Sequence, residues 1–280
     1  MSDLQLGLIG DNIAASRSPL LHRLAGAQNN QQVRYDRLVP AQMDKPFKAV
    51  FAYARDAGFR GLNITYPYKE QVVPMVRIDD PLLRQLGAVN TVIFDAQGPV
   101  GYNTDYTGFM AAYRQSRADA APGTALMIGT GGVGRAVAFG LLALGAKAIR
   151  LLDRDPAKAQ SLAAALRAAA PNVTVTVHSN AQEAAAGADG VINCTPVGMV
   201  GHPGTPLPKA AMAGASWAFD AVYTPPDTEF LQSAQEQGLV IISGWALFFY
   251  QGVQAWGHFT GLPLDEARLR ADLLNPELTA

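Results

Sequence analysis

A glycine-rich stretch, Gly129-Thr130-Gly131-Gly132-Val133-Gly134, has the residue types and spacing that could hold a phosphate group. It follows the apolar run 125–128, which predicts a buried strand, and it opens a segment with the pattern of a helix. In such a turn the first glycine allows a tight bend, the second lets the backbone approach a pyrophosphate, and the third lets helix and strand pack closely. The helix start adds N–H donors and a positive dipole. A plain connector can also be rich in glycine, but this position favours a dinucleotide-binding site, with contacts from Gly129, Gly131, Gly132, Val133 and Gly134.

Charged side chains about twenty residues further on predict which dinucleotide binds. Asp153 follows the next predicted strand, 148–152, where an acid accepts hydrogen bonds from the adenosine ribose and repels a 2′-phosphate. Asp155 adds a second negative charge, whereas Arg154 could pair with a 2′-phosphate and keeps NADP as an alternative. Two acids against one base favour NAD. The other interpretation is that both acids only cap the helix that starts at Pro156, and Asp155 could do both.

The elements that must position these residues alternate between strands and helices. The first hundred residues predict strands at 6–10, 33–39, 61–65, 88–94 and 100–103, with helices from about residue 18, around 43–57 and around 80–85. After a polar connection at 115–123, strands are predicted at 125–128, 148–152, 173–177, 190–193 and 218–221, with a helix over 156–169 and a helical tail over 244–274. Strands separated by helices indicate βαβ crossovers in a doubly wound sheet. The predicted fold is therefore α/β, with an N-terminal α/β unit followed by a Rossmann-type unit.

The composition excludes several classes of protein. The 280 residues are 49% hydrophobic and 16% charged, with a net charge of −1, which is typical of a globular enzyme and gives no excess charge for nucleic acid or an anionic membrane. No apolar run reaches the roughly 20 residues of a membrane helix, and residues 1–5 do not resemble a signal peptide. The single cysteine, Cys194, and four scattered histidines do not predict a disulfide or a metal site. We expect a cytoplasmic enzyme without a metal.

Several motifs have no role in nucleotide binding. They are, in order, Ser16-Arg17-Ser18-Pro19 with His22, Asn63-Ile64-Thr65-Tyr66-Pro67-Tyr68-Lys69, Gly87-Ala88-Val89-Asn90-Thr91, Asn103-Thr104-Asp105, Ile192 to Met199, Asp220 to Pro225, and Gly244 to Gly261 with Gln251. Together they closely resemble the shikimate dehydrogenase family over nearly the whole chain. The resemblance implies a substrate-binding domain at 1–105, an NAD(P)-binding Rossmann domain at 106–242, and C-terminal helices at 243–280 that return to the first domain.

The resemblance also implies the residues that bind a hydroxylated cyclohexene carboxylate and the cofactor. Ser16 and Ser18 match the family's serine pair for the carboxylate, with Thr65 as a further donor. The remaining matches are Asn90, Asp105 and Gln251 for substrate hydroxyls, Tyr223 near the substrate, and Thr195, Pro196, Gly244 and Leu247 on the cofactor side. Taken without the resemblance, Ser18-Pro19 is a helix cap, Asn90 is a turn former, and Thr65 and Tyr223 are ordinary strand residues.

Lys69 and Asp105 carry the chemistry that the resemblance implies. When a hydride leaves the carbinol carbon for a nicotinamide, a nearby group must take the hydroxyl proton, or return it in reduction. A lysine can do this when its surroundings favour the neutral amine, and Asp105 would orient both the lysine and the hydroxyl. Outside its motif Lys69 would be a solvated surface charge.

Departures from the family pattern bear on substrate and cofactor. Ala246-Leu247-Phe248 stands where the family usually has Gly-Met-Leu, Ala15 stands where many members have histidine, and Asp155 stands where threonine is common. These changes argue against the biosynthetic, NADP-linked form. They favour a catabolic or specialised branch that acts on shikimate, quinate or an amino analogue.

Three hypotheses remain open from the sequence. The leading one is an NAD-dependent dehydrogenase that interconverts shikimate and 3-dehydroshikimate, or quinate and 3-dehydroquinate, as a monomer or homodimer. A dehydrogenase of the methylenetetrahydrofolate type leaves the motifs at Ser16 to Ser18 and Asn103 to Asp105 unexplained. A dinucleotide-binding sensor or regulator has little need of a proton-transfer pair, so the intact Lys69 and Asp105 argue against it.

Overall fold

The computed structural model describes residues 3–275 and divides the chain into two compact units. The first unit contains residues up to Thr104 together with those from Gln251 onward, and the second contains Asp105–Tyr250. The sequence placed the boundaries at 105/106 and 242/243. The structure places the first boundary one residue earlier, at 104/105. It places the second at 250/251, inside a helix that runs without a break across residues 244–260.

Eleven strands and ten α-helices occur among residues 3–275. In chain order they are β1 (Asp3–Ile9), α1 (Ser18–Gln28), β2 (Gln32–Leu38), α2 (Phe47–Asp56), β3 (Gly61–Ile64), α3 (Pro81–Leu86), β4 (Thr91–Asp95), β5 (Gly98–Tyr102), α4 (Thr104–Arg117), β6 (Thr124–Ile128), α5 (Gly132–Ala143), β7 (Ala148–Leu152), α6 (Pro156–Ala169), β8 (Thr174–Val177), α7 (Ala181–Ala185), β9 (Gly190–Asn193), β10 (Trp217–Asp220), α8 (Glu229–Glu236), β11 (Val240–Ile242), α9 (Gly244–Thr260) and α10 (Glu266–Leu274). The α/β prediction is confirmed.

The first unit is built on a five-stranded sheet with the order β2-β1-β3-β4-β5. The strands β1, β2 and β3 are parallel, whereas β4 runs antiparallel to β3 and β5 antiparallel to β4. Thr91 pairs with Tyr102, so the strands predicted at 88–94 and 100–103 form a hairpin. Leu6, Leu8, Ile93 and Phe259 belong to the buried cluster on this sheet. Because β1 and β3 are parallel neighbours, their carboxyl ends bring residues 10–18 and 65–69 to one edge.

The second unit has a six-stranded, wholly parallel sheet with the order β11-β10-β9-β6-β7-β8. The order reverses at β6, with β7 on one side and β9 on the other. Ligands of open α/β sheets bind at this kind of switch point, beyond the carboxyl ends of the strands. The doubly wound prediction is confirmed, and it puts the glycine-rich turn after β6 at the place where the topology predicts a ligand.

Some predicted elements differ from those in the structure. The helix predicted from residue 43 begins only at Phe47, because residues 40–45 form hydrogen-bonded turns and the extended Pro46 occupies the N-cap. The strand predicted over 88–94 begins at Thr91. The predicted C-terminal helices are present as α9 and α10, and Gly261, with a φ of 70°, ends the first of them. The sequence did not predict α4, α7, α8 or β11.

Candidate functional site

The glycine-rich turn of the second unit has the geometry that a pyrophosphate needs. Gly129 has a φ of +97°, which favours glycine, and α5 starts three residues later with Gly131 at its N-cap. A Cβ added to Gly131 would meet nothing within 4 Å, so this part of the backbone is open to approach. A Cβ on Gly134 would collide with the carbonyl oxygen of Gly129, so helix and strand can be this close only with glycine there. Val133 lies half-buried in the first turn of α5.

The two acids after β7 have different local roles. Asp155 caps α6, because its Oδ1 accepts a hydrogen bond from the N–H of Ala157 at 3.0 Å. Asp153 does not cap the helix; its Oδ2 accepts from the N–H and the hydroxyl of Thr130, and its Oδ1 accepts from the N–H of Asp155. Burial alone would raise the pKa of Asp153, but these hydrogen bonds outweigh it and lower the pKa. Arg154 is exposed beside the acid.

A buried polar cluster joins the carboxyl ends of β9 and β10. Asn193 donates from Nδ2 to Asp220 Oδ1 at 3.0 Å, and the Thr228 hydroxyl donates to Asp220 Oδ2 at 2.6 Å. The side-chain oxygen of Asn193 accepts from the N–H and the hydroxyl of Thr195. Burial raises the pKa of Asp220 to about 6, although all of its hydrogen bonds act in the opposite direction. The cluster fixes the start of the loop that carries Thr195 and the exposed Pro196.

The first turn of α9 packs on the chain that follows β10. A Cβ on Gly244 would meet the backbone carbonyl of Val222, so the helix can begin this close to residues 221–222 only with glycine. Tyr223 stacks on Phe248 with ring centroids 5.1 Å apart and planes 14° apart. Leu247 is buried, at 5% exposure. The segment 244–248 therefore packs within the second unit, and the cofactor contacts of Gly244 and Leu247 remain predictions.

In the first unit, the serine pair lies at the start of α1. The hydroxyls of Ser16 and Ser18 are 3.2 Å apart, and the N–H of Ser18 donates to Ser16 Oγ at 3.3 Å. The N-cap residue of α1 is Arg17, without a side-chain cap, so the alternative interpretation of Ser18 as the cap is wrong. Arg37 on β2 donates to the Ser16 carbonyl at 2.8 Å and holds this loop.

Lys69 lies in the turn after β3 and is buried, at 9% exposure. Its carbonyl accepts from the N–H of Val89 at 2.8 Å, which joins the two motifs that flank β3 and β4. Lysine is almost never buried unless it is paired, so the interpretation of Lys69 as a solvated surface charge is wrong. Thr65, half-buried at the end of β3, packs against Gly10, where a Cβ would collide with its methyl group.

Asn90 is committed to holding the start of α4. Its Oδ1 accepts from the N–H of Thr104 at 2.7 Å and from the hydroxyl of Thr91 at 3.0 Å, and its Nδ2 donates to the Thr104 hydroxyl. Asp105 is the next residue after Thr104 in the chain and is buried, at 5% exposure. The direct contact of Asn90 with substrate remains a prediction, whereas its positioning of residue 104 is an observed role. Gln251 is half-buried on α9.

His22 is a buried structural residue. It is 1% exposed and stacks on Tyr35 with ring centroids 5.1 Å apart, while Trp256 and Phe259 cover its other sides. Burial lowers the pKa of His22 to about 3, against a weaker opposing effect of a hydrogen bond with Asn63. The folded chain therefore keeps this imidazole neutral at pH values where the unfolded chain protonates it.

We expect His22 to make the protein less stable in mild acid. Because the unfolded state binds a proton below about pH 6.5 and the folded state does not until about pH 3, the stability from this group is present above pH 6.5 and is lost as the pH falls. Between pH 7 and pH 5 the loss is about 2 kcal/mol. In urea denaturation, the unfolding free energy of His22→Phe should fall less between pH 7 and pH 5 than that of the parent. His202→Gln, at an exposed position, should show the same fall as the parent. An equal change in unfolding free energy with pH for the parent and His22→Phe would contradict the lowered pKa of His22.

Several residues of the site were not identified from the sequence. Asn193 and Asp220 lie inside motifs that the sequence analysis used, and Thr130 lies inside the glycine-rich stretch. These motifs were present in the sequence, but functional roles were assigned only to residues beside these three. Arg37 carries no signal, because its contact with residue 16 depends on the pairing of β1 and β2. Among residues 3–275 no group of three or more His, Cys, Asp or Glu side chains could hold a metal ion. In the same part of the chain no helix has both the length and the apolar character to cross a membrane.

Comparisons with known proteins cover both units. Residues 8–92 match the family model described as the shikimate dehydrogenase substrate binding domain, and residues 125–203 match one described as NADP oxidoreductase, coenzyme F420-dependent. The chain is 40% identical over 278 residues to a quinate/shikimate dehydrogenase (NAD(+)) of Corynebacterium efficiens, covering 96% of this chain and 97% of the relative. A shikimate dehydrogenase (NADP(+)) of Pseudarthrobacter chlorophenolicus is 37% identical, with coverages of 96% and 94%. The solved structure of quinate dehydrogenase from Corynebacterium glutamicum in complex with NAD superposes with a TM-score of 0.90, at 35% identity, over 97% of this chain and 98% of that one.

Proposed function

Because the chain belongs to the shikimate/quinate dehydrogenase family, we propose that it is an NAD-dependent dehydrogenase that interconverts shikimate or quinate with the 3-oxo form. The observation that carries the proposal is the whole-length similarity to an NAD(+)-dependent quinate/shikimate dehydrogenase. An NADP(+)-dependent relative at 37% identity makes NADP the competing cofactor. The departures at Ala15, Leu247 and Asp155 support the NAD-linked, catabolic branch.

The domain roles follow the family. We assign substrate binding to residues 1–105 and dinucleotide binding to 106–242. Of the C-terminal helices at 243–280, the part from Gln251 onward belongs to the first unit and makes the predicted return to the substrate domain. Ser16, Ser18 and Thr65 bind the substrate carboxylate through their hydroxyl donors. Asn90 and Gln251 bind ring hydroxyls, and Tyr223 lies close to the substrate. The 3.2 Å separation of the two serine hydroxyls supports a shared anion, since two adjacent donors suit one carboxylate.

Lys69 is the proton-transfer group of the proposed reaction, with Asp105 as its acidic partner. In oxidation the substrate hydroxyl gives its proton to Lys69 as the carbinol hydrogen leaves as a hydride, and in reduction Lys69 returns the proton. The burial of Lys69 supports the role, because the surrounding side chains hold its geometry and keep bulk water away from the reacting groups.

NAD, when bound, supplies the nicotinamide that accepts the hydride. The residues of the second unit fit this group: the open backbone at Gly131 admits a pyrophosphate, and the start of α5 provides N–H donors. Asp153 binds the adenosine ribose, with Arg154 and Asp155 beside it. Thr195, Pro196, Gly244 and Leu247 would complete the contacts with the cofactor, with Leu247 on the nicotinamide side. We place the enzyme in the cytoplasm as a monomer or homodimer that binds neither nucleic acid nor membrane and needs no metal.

The test is a substrate and cofactor panel. NADH or NADPH formation at 340 nm is measured with shikimate and with quinate, each with NAD and with NADP. We expect turnover on at least one of the two acids, with a higher kcat/KM for NAD than for NADP. Saturable NAD binding without turnover on either acid would instead support a dinucleotide-binding sensor. A kcat/KM with NADP equal to or above that with NAD would refute the cofactor assignment.

A further inference from the structure

The Asp153 carboxylate is held by the glycine-rich turn itself. Thr130 donates to Asp153 Oδ2 twice, from its backbone N–H at 2.7 Å and from its hydroxyl at 2.8 Å. The N–H of Asp155 donates to Oδ1 at 2.9 Å. Thr130 is 2% exposed, so its hydroxyl makes this bond out of contact with bulk water. Only the hydroxyl bond depends on the identity of residue 130, because any residue except proline supplies the backbone donor.

The hydrogen bonds leave the carboxylate with one free acceptor position. An ionised carboxylate has about four lone-pair sites. Both sites on Oδ2 are used by Thr130, and one of the two sites on Oδ1 is used by the N–H of Asp155. The remaining site on Oδ1 can accept from one hydroxyl group. A carboxylate fixed by three donors can neither rotate away from a ligand nor give up its charge easily.

We propose that the Thr130 hydroxyl is a positioning group that sets the preference for NAD over NADP. It holds Asp153 so that the free site of Oδ1 meets a ribose hydroxyl of NAD, and it keeps the same negative charge in place against a 2′-phosphate. The inference rests on the proposed function, because it assumes that Asp153 lies at the adenosine ribose. Thr130 acts through Asp153 and is not itself a ligand of the ribose.

The position of the nearby cations explains why a fixed acid matters. Arg154 is exposed next to Asp153, and Lys158, in the first turn of α6, attracts the Asp153 carboxylate. Either cation could pair with a 2′-phosphate if the carboxylate turned aside. A threonine hydroxyl that prevents this rotation therefore rejects NADP even though positive charge is available.

Equilibrium binding of each dinucleotide, measured by isothermal titration calorimetry, tests the proposal without requiring catalysis. Thr130→Val removes the hydroxyl and keeps the side-chain volume, whereas Thr130→Ser keeps the hydroxyl. We expect Thr130→Val to raise the Kd for NAD about fivefold to tenfold, because the Asp153 carboxylate must then be immobilised when the ribose binds. The Kd for NADP should stay the same or fall, and Thr130→Ser should bind NAD within about twofold of the parent. Thr174→Val is the matched control, because this exposed threonine begins β8, at the opposite end of the parallel sheet.

A double-mutant cycle separates the proposed mechanism from a general effect on the turn. In an Asp153→Ala background, Thr130→Val should change the Kd for NAD by less than about twofold, because the bond it breaks is already absent. Equal losses in both backgrounds, equal losses for NAD and NADP, or failure of Thr130→Ser to restore binding would overturn the inference while leaving the proposed function intact. A parent chain that binds neither dinucleotide would overturn the proposed function as well.

Discussion

Lys69→Ala is expected to lower kcat for oxidation of shikimate or quinate by about 10²–10⁴-fold, the usual contribution of a positioned proton-transfer group. The Kd for NAD should stay within about twofold of the parent, because Lys69 lies in the first unit and the predicted nucleotide contacts lie in the second. Steady-state kinetics at 340 nm and calorimetric titration with NAD measure the two quantities. A large loss in kcat with an unchanged Kd for NAD is the result that a proton-transfer role requires.

A charge-retaining variant distinguishes proton transfer from simple attraction. Arginine keeps the positive charge but does not release its proton in proteins, so Lys69→Arg should remain as impaired as Lys69→Ala. If Lys69 only attracted an anionic substrate, Lys69→Arg would recover much of the activity. Lys48→Ala, at an exposed position on α2 in the same unit, is the control and should keep full activity. Near-parental kcat in Lys69→Ala would remove the chemical basis of the proposed mechanism.

The alternation of strands and helices was predictable because parallel strands, covered on both faces, leave continuous apolar runs. The run at 125–128 and the helix at 156–169 have matching elements in β6 and α6, the latter with the same bounds. The start of α2 after Pro46 was harder to predict than its existence. The whole of α4 was missed, because its many polar residues give only a weak periodic signal. The strand β11 has three residues, too few for a pattern to establish.

The candidate site was predictable to the level of motifs but not of hydrogen bonds. Ser16 and Ser18 could be selected from sequence, yet their support by Arg37 depends on contacts between segments distant in the chain. Asn90 shows the converse case, since the residue was selected and the structure gives its amide a positioning role at Thr104. A motif identifies which side chains matter, and only the packing decides which of them hold the others in place.

Asp220→Ala is expected to lower the free energy of unfolding by about 3 kcal/mol, because it leaves buried donors without their shared acceptor. The N–H of Val222, the hydroxyl of Thr228 and the Nδ2 of Asn193 all donate to this carboxylate. Of these, Asn193 keeps a second bond, to the carbonyl of Val197. Thermal unfolding should show a Tm about 6–12 °C lower. Asp227→Ala removes an exposed acid from the same segment and should leave the Tm unchanged.

The pH dependence of stability distinguishes the effect of protonating Asp220 from the effect of the shape of its side chain. Because the folded pKa of Asp220 is about 6 and the unfolded value is 3.8, the folded state holds an extra proton between these values. The stability from this proton is complete below about pH 3.8 and is lost as the pH rises through 6. Asp220→Asn keeps the shape but cannot titrate, so its deficit in unfolding free energy should be about 2 kcal/mol larger at pH 4.5 than at pH 7.5. Since His22 is present in both proteins, its opposite titration cancels in the difference. A deficit that is independent of pH would mean that Asp220 does not take up a proton in the folded state between pH 7.5 and pH 4.5, and it would contradict the raised pKa of this carboxyl group.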